Sequence, residues 1–321
     1  MAIAATKSLN KKAKKIAVLC GGTTSEREIS LNTGNAVQDA LTNAGWEVIL
    51  FDWPEAKVID RAEELRAFDA VFIGYHGGAG EGGKVQAVLE LANIPFTGSG
   101  STGSAVAMDK ILTKRIFAQA GIPTPKWIAW ESETKPIAAE ILRSSDLPLP
   151  IVVKPVAEGS TVGITIANSE ETLDYGIDLA FKYSHRMLFE EYIPGRELTC
   201  AILEGTDLSP IEIVPHNGFY DYEHKYTAGA SNYICPAEIP GAIAEELQNV
   251  SKAAFQLLGL RHYGRADFRY DGKKLFCLEL NSLPGMTSLS LVPMAAQTAG
   301  ISFPELVDRI GRMAINNGNI T

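Results

Sequence analysis

Three oxygen-bearing side chains near the end of the chain are spaced like the ligands of a metal ion. Asp267 lies in one predicted strand, and Glu279 and Asn281 lie two residues apart in the next, over residues 274–281. Side chains two apart in a strand point to the same face of the sheet. Magnesium prefers hard oxygen ligands and commonly binds one or two carboxylates together with the phosphates of a substrate. The spacing therefore predicts a magnesium site for a phosphate-bearing ligand, with ordinary solvated strand ends as the alternative.

The register of the two strands decides whether Asp267 shares the face of the other ligands. A two-residue turn after Tyr270 would place Asp267 on the face opposite Glu279. A three-residue loop would instead pair Asp267 with Cys277 and Arg265 with Glu279. The guanidinium group of Arg265 and the three metal ligands would then lie on the same face of the sheet. We therefore predict the loop of odd length.

A lysine and a glycine-rich segment form a second candidate site. Lys154 follows the apolar run of residues 151–153, and a lysine in a buried strand needs an anionic partner. Residues 158–163, Glu-Gly-Ser-Thr-Val-Gly, come next. Glycines let backbone N–H groups approach phosphate oxygens, although such segments are also common in hairpin turns. Together the two features favour phosphate binding beneath a loop that can close as a lid.

The composition argues against several classes of function. The chain has 321 residues, of which 46% are hydrophobic and 21% charged, as in a soluble globular protein with roughly two or three domains. A net charge of −9 argues against nucleic-acid binding, because a phosphate backbone needs a basic face. The cysteines are scattered without ligand spacing, which fits a reducing cytosol, so a cytoplasmic location is expected. No apolar run approaches the roughly 20 residues of a membrane span, and no membrane partner is predicted.

The elements that must position these residues follow two patterns. From residue 16 to residue 108, short apolar strands alternate with helices, which predicts an open, doubly wound parallel sheet with ligand groups in the loops after its strands. His76 follows one of these strands, although a core histidine is the alternative at that position. From residue 109 onward, strands and helices are segregated, as in α+β domains. The predicted divisions are a disordered basic N-terminus over residues 1–15, followed by 16–108, 109–190 and 191–321.

Hydrophobic periodicity places the individual elements. The predicted strands cover residues 16–20, 48–51, 70–74, 94–97, 151–153, 163–166, 187–192, 197–203 and 211–214, with two more around residues 271–272. The predicted helices cover residues 31–44, 61–67, 84–92, 109–120, 170–183, 242–258, 292–299 and 304–315.

Taken in order, the motifs resemble those of the D-alanine–D-alanine ligase family of the ATP-grasp superfamily, over residues 16–310. They are Gly21-Gly22-Thr23-Thr24-Ser25-Glu26-Arg27-Glu28, His76-Gly77, Phe96-Thr97-Gly98-Ser99-Gly100, Met108-Asp109-Lys110, Lys154-Pro155, Glu158-Gly159-Ser160, residues 220–226, Gly264-Arg265-Ala266-Asp267 and Pro284-Gly285-Met286-Thr287. One loop departs from the family's pattern, since Gly80-Glu81-Gly82-Gly83 stands where the family usually has Gly-Glu-Asp-Gly. The resemblance implies an ATP-grasp fold preceded by the parallel-sheet domain, α/β and α+β in class.

The resemblance also implies contacts to a nucleotide and to metal ions. Lys110, Lys154 and Lys225 would contact the phosphates of ATP beneath a lid around Ser160. The backbone of Glu190, Glu191, Tyr192 and Ile193 would take the adenine, and Glu197 would bind the ribose hydroxyls. Asp267, Glu279 and Asn281 would hold two magnesium or manganese ions.

The substrate contacts implied by the resemblance lie elsewhere in the chain. Glu26 would pair with the ammonium group of a first D-alanine, with His76 nearby, and Ser290 with the backbone of Leu291 would hold the carboxylate of a second. Arg265 and the N–H of Gly285 would stabilise the oxyanion of a tetrahedral intermediate. A hydrogen-bonded chain would run from Glu26 through Ser160 to Tyr226 and tie the lid to the first domain.

The activity implied by the resemblance is the joining of two D-alanines through a D-alanyl phosphate, with release of ADP and phosphate. The Lys225-Tyr226 pair, absent from family members that make D-alanyl-D-lactate, favours the dipeptide product. Two alternatives stay open: another acceptor such as D-lactate or D-serine, and a catalytically silent nucleotide-binding protein. The presence of Arg265, Lys225 and the metal set argues against the silent protein. A homodimer formed through the first domain is expected by analogy.

Overall fold

The computed structural model describes residues 14–157, 159, 161–215, 231–287 and 290–317, which form three sheets with helices packed on them. In the first sheet, β1 (Lys15–Gly21) lies between β2 (Glu47–Trp53) and β3 (Ala70–Ile73), and both pairings are parallel. β1 and β3 are almost fully buried, as expected for strands covered on both faces. The predicted parallel sheet is therefore confirmed. The predicted strand at residues 94–97 is reduced to one parallel bridge between Val71 and Phe96.

Lys15 corrects the predicted length of the disordered N-terminus. Its backbone N–H donates to Asp69 Oδ2 at 2.7 Å, and it is the first residue of β1. The neighbouring Lys14 places its ammonium group 5.3 Å from the ring centre of Trp46. Both lysines thus belong to the folded domain, and residues 1–13 of the predicted segment lie outside the described residues.

Two antiparallel sheets follow, as the segregated pattern predicted. The first has the order β4-β7-β5-β6, with β4 (Trp127–Glu131), β5 (Ile151–Pro155), β6 (Thr165–Ala167) and β7 (Arg186–Glu191). The second has the order β10-β9-β8-β11-β12, with β8 (Arg196–Leu203), β9 (Ile211–Pro215), β10 (Ser231–Ile234), β11 (Tyr263–Tyr270) and β12 (Leu275–Asn281). Sequence analysis missed β4 and β10.

The helices pack on the faces of these sheets. They are α1 (Arg27–Asn43), α2 (Lys57–Leu65), α3 (Gly78–Glu81), α4 (Lys84–Leu91), α5 (Ser101–Met108), α6 (Lys110–Ala120), α7 (Ala138–Ser144), α8 (Glu170–Phe181), α9 (Gly241–Leu257), α10 (Leu291–Thr298) and α11 (Phe303–Asn317). α3, α5 and α7 were not predicted. Within the described ranges, no helix combines the length and the apolar character needed to cross a bilayer.

The last helix returns to the first domain. Leu306 and Ile310 of α11 are fully buried in the same core as Ile16 of β1. The indole N–H of Trp46 donates to Asp308 Oδ1 at 2.7 Å and ties the two segments together. The core of the first domain thus includes side chains from residues 191–321.

The loop between β11 and β12 differs from the prediction. Tyr270 pairs with Leu275, so the loop spans residues 271–274 and the predicted three-residue loop is wrong. The side chain of Asp271 stabilises the longer turn, because its Oδ1 accepts hydrogen bonds at 2.7 Å from the backbone N–H groups of Lys273 and Lys274. The predicted pairing of Asp267 with Cys277 is wrong for the same reason.

A β-bulge nevertheless brings the predicted ligands to one face. The register shifts between Asp267 and Phe268, and Leu278 is the extra residue on β12. Asp267 then lies opposite Glu279, and Arg265 lies opposite Asn281. The common face of the cation and the oxygen ligands is confirmed, although it depends on the bulge and not on the length of the loop.

Candidate active site

A cleft between the two antiparallel sheets is lined by Ile166 of β6 and Arg269 of β11, and the predicted metal ligands share the face of Arg269. Asp267 accepts two hydrogen bonds from Arg265, from Nε to Oδ1 at 2.8 Å and from Nη2 to Oδ2 at 2.7 Å. The hydroxyl of Thr199 on β8 donates to the same Oδ1 at 2.7 Å. A bidentate pair of this kind fixes both the carboxylate and the guanidinium group. The predicted metal ligand and the predicted oxyanion donor are therefore neighbours.

Glu279 and Asn281 complete the oxygen set. Lys110 Nζ lies 3.5 Å from Glu279 Oε2, and Asn281 Oδ1 accepts a hydrogen bond from the backbone N–H of Leu283 at 2.9 Å. Two carboxylates and an amide oxygen on one face suit magnesium, which needs few protein ligands when a phosphate is shared. Among the residues that the structure describes, no three His, Cys, Asp or Glu side chains converge. A metal ion held here would therefore depend on Asn281 and on oxygens of a substrate.

A buried carboxylate between two lysines lies deeper in the cleft. Glu190 on β7 is 1% exposed and forms ion pairs with Lys154 of β5 and Lys114 of α6. Burial alone would raise the pKa of Glu190, but the two ammonium groups hold it below its usual value. Burial lowers the pKa of Lys114, whereas at Lys154 the nearby carboxylates outweigh burial and raise the pKa. The cluster carries excess positive charge, which suits a phosphate.

The segment after β7 contains the residues predicted to contact the nucleoside. Ile193 is buried, and its carbonyl accepts a hydrogen bond at 3.0 Å from Nε of Arg269 on β11. The guanidinium group of the same arginine lies 5.8 Å from the ring centre of Tyr192, and its Nη1 lies 3.4 Å from Glu197 Oε2. Glu191 ends β7 and leads into this segment. The predicted adenine and ribose residues are thus contiguous along one edge of the cleft.

His76 and Glu26 lie together on the loops that follow the first sheet. His76 Nε2 lies 2.9 Å from the hydroxyl of Thr33 on α1, and its carbonyl accepts a hydrogen bond from the hydroxyl of Thr24 at 2.9 Å. Burial lowers the pKa of His76, against the opposing effect of Glu26. The imidazole is therefore neutral at neutral pH and is held in place by its neighbours.

The backbone after His76 wraps around the carboxylate of Glu26. Gly77 has a φ of +67°, and a Cβ atom there would lie 2.6 Å from Glu26 Oε2, so the position requires glycine. The N–H of Gly77 donates to Glu81 Oε2 at 3.1 Å. Burial, and next the charge of Glu26, raise the pKa of Glu81 to about 7. The carboxylate of Glu26 lies beside the partly protonated Glu81, and the negative charge here suits an ammonium group.

The turn that follows β12 meets the loops of the first domain. The N–H of Thr287 donates to Ser290 Oγ at 3.1 Å, and the N–H of Ser290 donates to the Thr287 carbonyl at 3.0 Å. A Cβ atom on Gly285 would lie 3.0 Å from Ser290 Oγ and 3.8 Å from His76 Cε1. Ser290 precedes α10, and Leu291 is its first residue, so backbone N–H groups of a helix start are available for a carboxylate.

Three predicted residues, Ser160, Lys225 and Tyr226, lie outside the described residues. The hydrogen-bonded chain from Glu26 through Ser160 to Tyr226 therefore stays a prediction. Gly159 is described, and a Cβ atom on it would lie 3.6 Å from Glu26 Oε2. The glycine-rich segment thus approaches the carboxylate that the prediction assigned to it.

Sequence reasoning missed two cations that the structure brings into the cleft. Lys114 follows Lys110 by four residues in α6, and this helical spacing alone places both on one side of the helix. Arg269 follows Asp267 by two residues in β11, the same spacing that identified the ligands on β12. Both signals were present in the sequence.

Comparison with known proteins gives consistent matches along most of the chain. The families described as D-ala D-ala ligase C-terminus and D-ala D-ala ligase N-terminus match residues 116–311 and 52–99, respectively. A D-alanine–D-alanine ligase of Syntrophotalea carbinolica is 43% identical over 92% of this chain and 95% of its own length. One of Moorella thermoacetica is 44% identical over 94% of this chain and 99% of its own.

Solved structures agree with the sequence matches. The D-alanine–D-alanine ligase of Bacillus anthracis superimposes with a TM-score of 0.85 at 32% identity, covering 95% of this chain and 98% of that one. The structure of that enzyme complexed with ATP gives a TM-score of 0.83 at 30% identity over the same shares of the two chains. The chain therefore belongs to the D-alanine–D-alanine ligase family.

Proposed function

We propose that this protein joins two D-alanine molecules into D-alanyl-D-alanine for peptidoglycan precursor synthesis, converting ATP to ADP and phosphate. The observation that carries the proposal is the face of the β11–β12 hairpin. There Asp267 lies opposite Glu279, and Arg265 lies opposite Asn281. The proposed metal ligands and the proposed oxyanion donor thus share one surface, as an acyl-phosphate reaction requires. The relatives named as D-alanine–D-alanine ligases support the same substrate.

In the first step, a carboxylate oxygen of the first D-alanine attacks the γ-phosphorus of ATP. The bond from that phosphorus to the β,γ-bridging oxygen breaks, and ADP leaves with the electron pair. Lys110 and Lys154 would hold the phosphates, while Glu26 would hold the ammonium group of the D-alanine and so aim its carboxylate. Lys225 would approach the transferred phosphate in the same step. Positioning supplies most of the rate acceleration in such a transfer.

Asp267, Glu279 and Asn281 would hold magnesium or manganese, which when bound would offset negative charge on the phosphates. The donor set fits, because two carboxylates and one amide oxygen face the same side of the sheet. Arg265 would keep Asp267 oriented through the two hydrogen bonds already described.

In the second step, the amine nitrogen of the second D-alanine attacks the carbonyl carbon of D-alanyl phosphate. The tetrahedral intermediate places a negative charge on the former carbonyl oxygen, which Arg265 and the N–H of Gly285 would stabilise. Inorganic phosphate then leaves, and the amine loses its proton to give the peptide. Ser290 and the N–H of Leu291 would hold the carboxylate of the second D-alanine at the start of α10.

The lids would keep water away from the acyl phosphate. In this proposal Ser160 and Tyr226 close the cleft over both substrates, and the chain from Glu26 through Ser160 to Tyr226 joins the lid to the first domain. Glu190, Glu191, Tyr192 and Ile193 would enclose the adenine, with Glu197 on the ribose. His76 would stay neutral beside the first D-alanine, in line with its lowered pKa.

Phosphate release with ATP, magnesium and D-alanine tests the function directly, followed by mass analysis of the product. We expect release that depends on D-alanine, is absent with L-alanine and without a divalent cation, and is matched by the mass of D-alanyl-D-alanine. Adding D-lactate or D-serine should leave the dipeptide as the main product at neutral pH. ATP binding without turnover would contradict the proposal and favour a silent nucleotide-binding protein.

The proposal extends to assembly and location. A homodimer formed through the first domain is proposed by analogy with the family. A cytoplasmic location is supported by four cysteines that are all free. Light scattering on the purified protein measures the assembly, and the mass of a single chain at micromolar concentration would contradict the dimer.

A further inference from the structure

Arg269 connects the metal-bearing strand to the segment that leaves β7. Its Nε donates to the carbonyl of Ile193 at 3.0 Å, and its Nη2 donates to the carbonyl of Gly195 at 2.7 Å. Its Nη1 donates to Glu197 Oε2 at 3.4 Å. One side chain therefore holds two backbone carbonyls and one carboxylate, all within five consecutive residues.

The surroundings make this contact strong. The side chains of Arg269 and Glu197 are only 15% and 14% exposed, so water competes weakly for their hydrogen bonds. The guanidinium group also lies 5.8 Å from the ring centre of Tyr192, which places cation and ring in favourable contact. These residues line one side of a cavity of about 560 Å³ that also includes Arg196 and Glu212.

The shape of arginine explains why this residue type stands here. A guanidinium group carries five N–H donors in a planar fork and can reach several acceptors at fixed angles, whereas a lysine ammonium group is a single point of charge. The carbonyls of Ile193 and Gly195 belong to the connection after β7 and lie outside any strand ladder. Their conformation therefore depends on the donor that β11 supplies.

We propose that Arg269 is a positioning residue for the nucleotide: it holds residues 192–197 in the shape that receives the adenine and the ribose of ATP. The inference rests on the proposed function, because that function assigns Tyr192, Ile193 and Glu197 to the nucleoside. Arg269 shares its face of β11 with Asp267. The same strand thus sets the distance between the site of the metal-bound phosphates and the site of the nucleoside.

Binding of ATP and of ADP to the full-length protein, measured by calorimetry without D-alanine, tests the inference. Arg269→Met should weaken both nucleotides by about tenfold or more, and by the same factor, since the affected contacts lie on the nucleoside. In steady-state assays, KM for ATP should rise by a similar factor, with kcat and KM for D-alanine changed less than about twofold. Arg269→Lys should recover little, because it restores the charge without the fork.

Arg61→Met is the matched control. Arg61 on α2 also carries a paired guanidinium group beside an aromatic ring, but its partners are Glu64 and Trp53, whose ring centre lies 5.6 Å away, and none of these residues lines the cavity. This variant should bind ATP as the wild type does.

The outcomes separate the inference from the proposed function. If the wild type binds neither nucleotide, the proposed function fails. If the wild type binds both and Arg269→Met binds them equally well, or loses D-alanine affinity in the same proportion, only the positioning role is overturned. Full recovery by Arg269→Lys would also overturn it, because charge alone would then suffice.

Discussion

Two clusters of the candidate site, the lysine end around Glu190 and the acidic end around Glu26, carry opposite charges. At one end, the buried Glu190 is enclosed by Lys114 and Lys154, so ammonium groups outnumber carboxylates. At the other end, the charge of Glu26 helps raise the pKa of a second carboxylate, Glu81, to about 7. The ligands proposed for these ends differ in the same way, because ATP brings phosphates and D-alanine brings an ammonium group.

The comparison shows how a protein prepares a site for two unlike ligands. A buried charge without a partner is costly, so each end tolerates its excess charge only by spreading it over neighbours. At the lysine end, Glu190 shares two cations, and Lys114 can keep the carboxylate paired while Lys154 contacts a phosphate. At the acidic end, the neutral imidazole of His76 offers no compensating charge, whereas the charge of Lys110 lowers the pKa of Glu81 against the effects of burial and of Glu26.

Removing the shared cation should have the largest effect on activity. Lys154→Met takes away a phosphate contact and leaves Glu190 with only Lys114. We expect kcat/KM for ATP to fall by about 100- to 1000-fold, since the lost charge acts on a phosphate in a dry site. KM for D-alanine should change little. Steady-state kinetics with each substrate varied in turn measure both parameters.

Lys135→Met is the control for this variant. Lys135 forms a surface ion pair with Asp178 and is 44% exposed, so its loss should leave the kinetics at the wild-type level. If Lys154→Met lowered kcat/KM for D-alanine as much as kcat/KM for ATP, the lysine end would not serve the phosphates alone. That result would contradict the assignment of one ligand to each end.

Removing a charge from the acidic end should have a smaller effect, and it should act on D-alanine and not on ATP. Glu26→Gln removes the proposed partner of the D-alanine ammonium group, and we expect KM for D-alanine to rise by about 10- to 100-fold. KM for ATP should stay near the wild-type value. Glu28→Gln, an exposed carboxylate in the first turn of α1, is the matched control and should leave both constants unchanged. A rise in KM for ATP alone would contradict the assignment of the two ends.

Much of this site followed from local sequence patterns, but the register did not. Asp267, Glu279 and Asn281 were identified from their chemistry and their period-two spacing. Residues 275–280, Leu-Phe-Cys-Leu-Glu-Leu, are nearly all apolar, so the sequence does not reveal which of them face inward. The structure buries residues 275, 277 and 280. The spacing changes from two residues to three because the bulge adds Leu278 to the strand.

Contacts between distant segments were also beyond sequence reasoning. The Glu190 cluster joins α6, β5 and β7, and no local period relates these three elements. The return of α11 to the first core likewise depends on packing against Ile16 and Trp46. Such contacts are decided by the shapes of buried surfaces, which a single chain read in order does not show.

The smallest expected effect concerns Glu81 and appears as a change of stability with pH. The folded-state pKa of Glu81, about 7, lies above the ordinary value of 4.5. The folded protein therefore keeps a proton that the unfolded chain releases between these values. This contribution to stability is complete below pH 4.5 and is lost as pH rises through 7. Glu81→Gln keeps an acceptor for the N–H of Gly77 but cannot titrate.

The free energy of unfolding of Glu81→Gln, relative to the wild type, should therefore increase by about 3 kcal/mol between pH 4.5 and pH 8. Denaturant unfolding at several pH values measures this difference. Glu63→Gln, with a side chain 87% exposed, should follow the wild-type curve throughout. In Glu26→Gln, the pKa of Glu81 should lie closer to 4.5, because a carboxylate that raises it is gone. The stability of the protein should therefore change over a narrower range of pH. If the curves of Glu81→Gln and the wild type stay parallel, the acidic end holds no trapped proton, and the contrast with the lysine end rests on geometry alone.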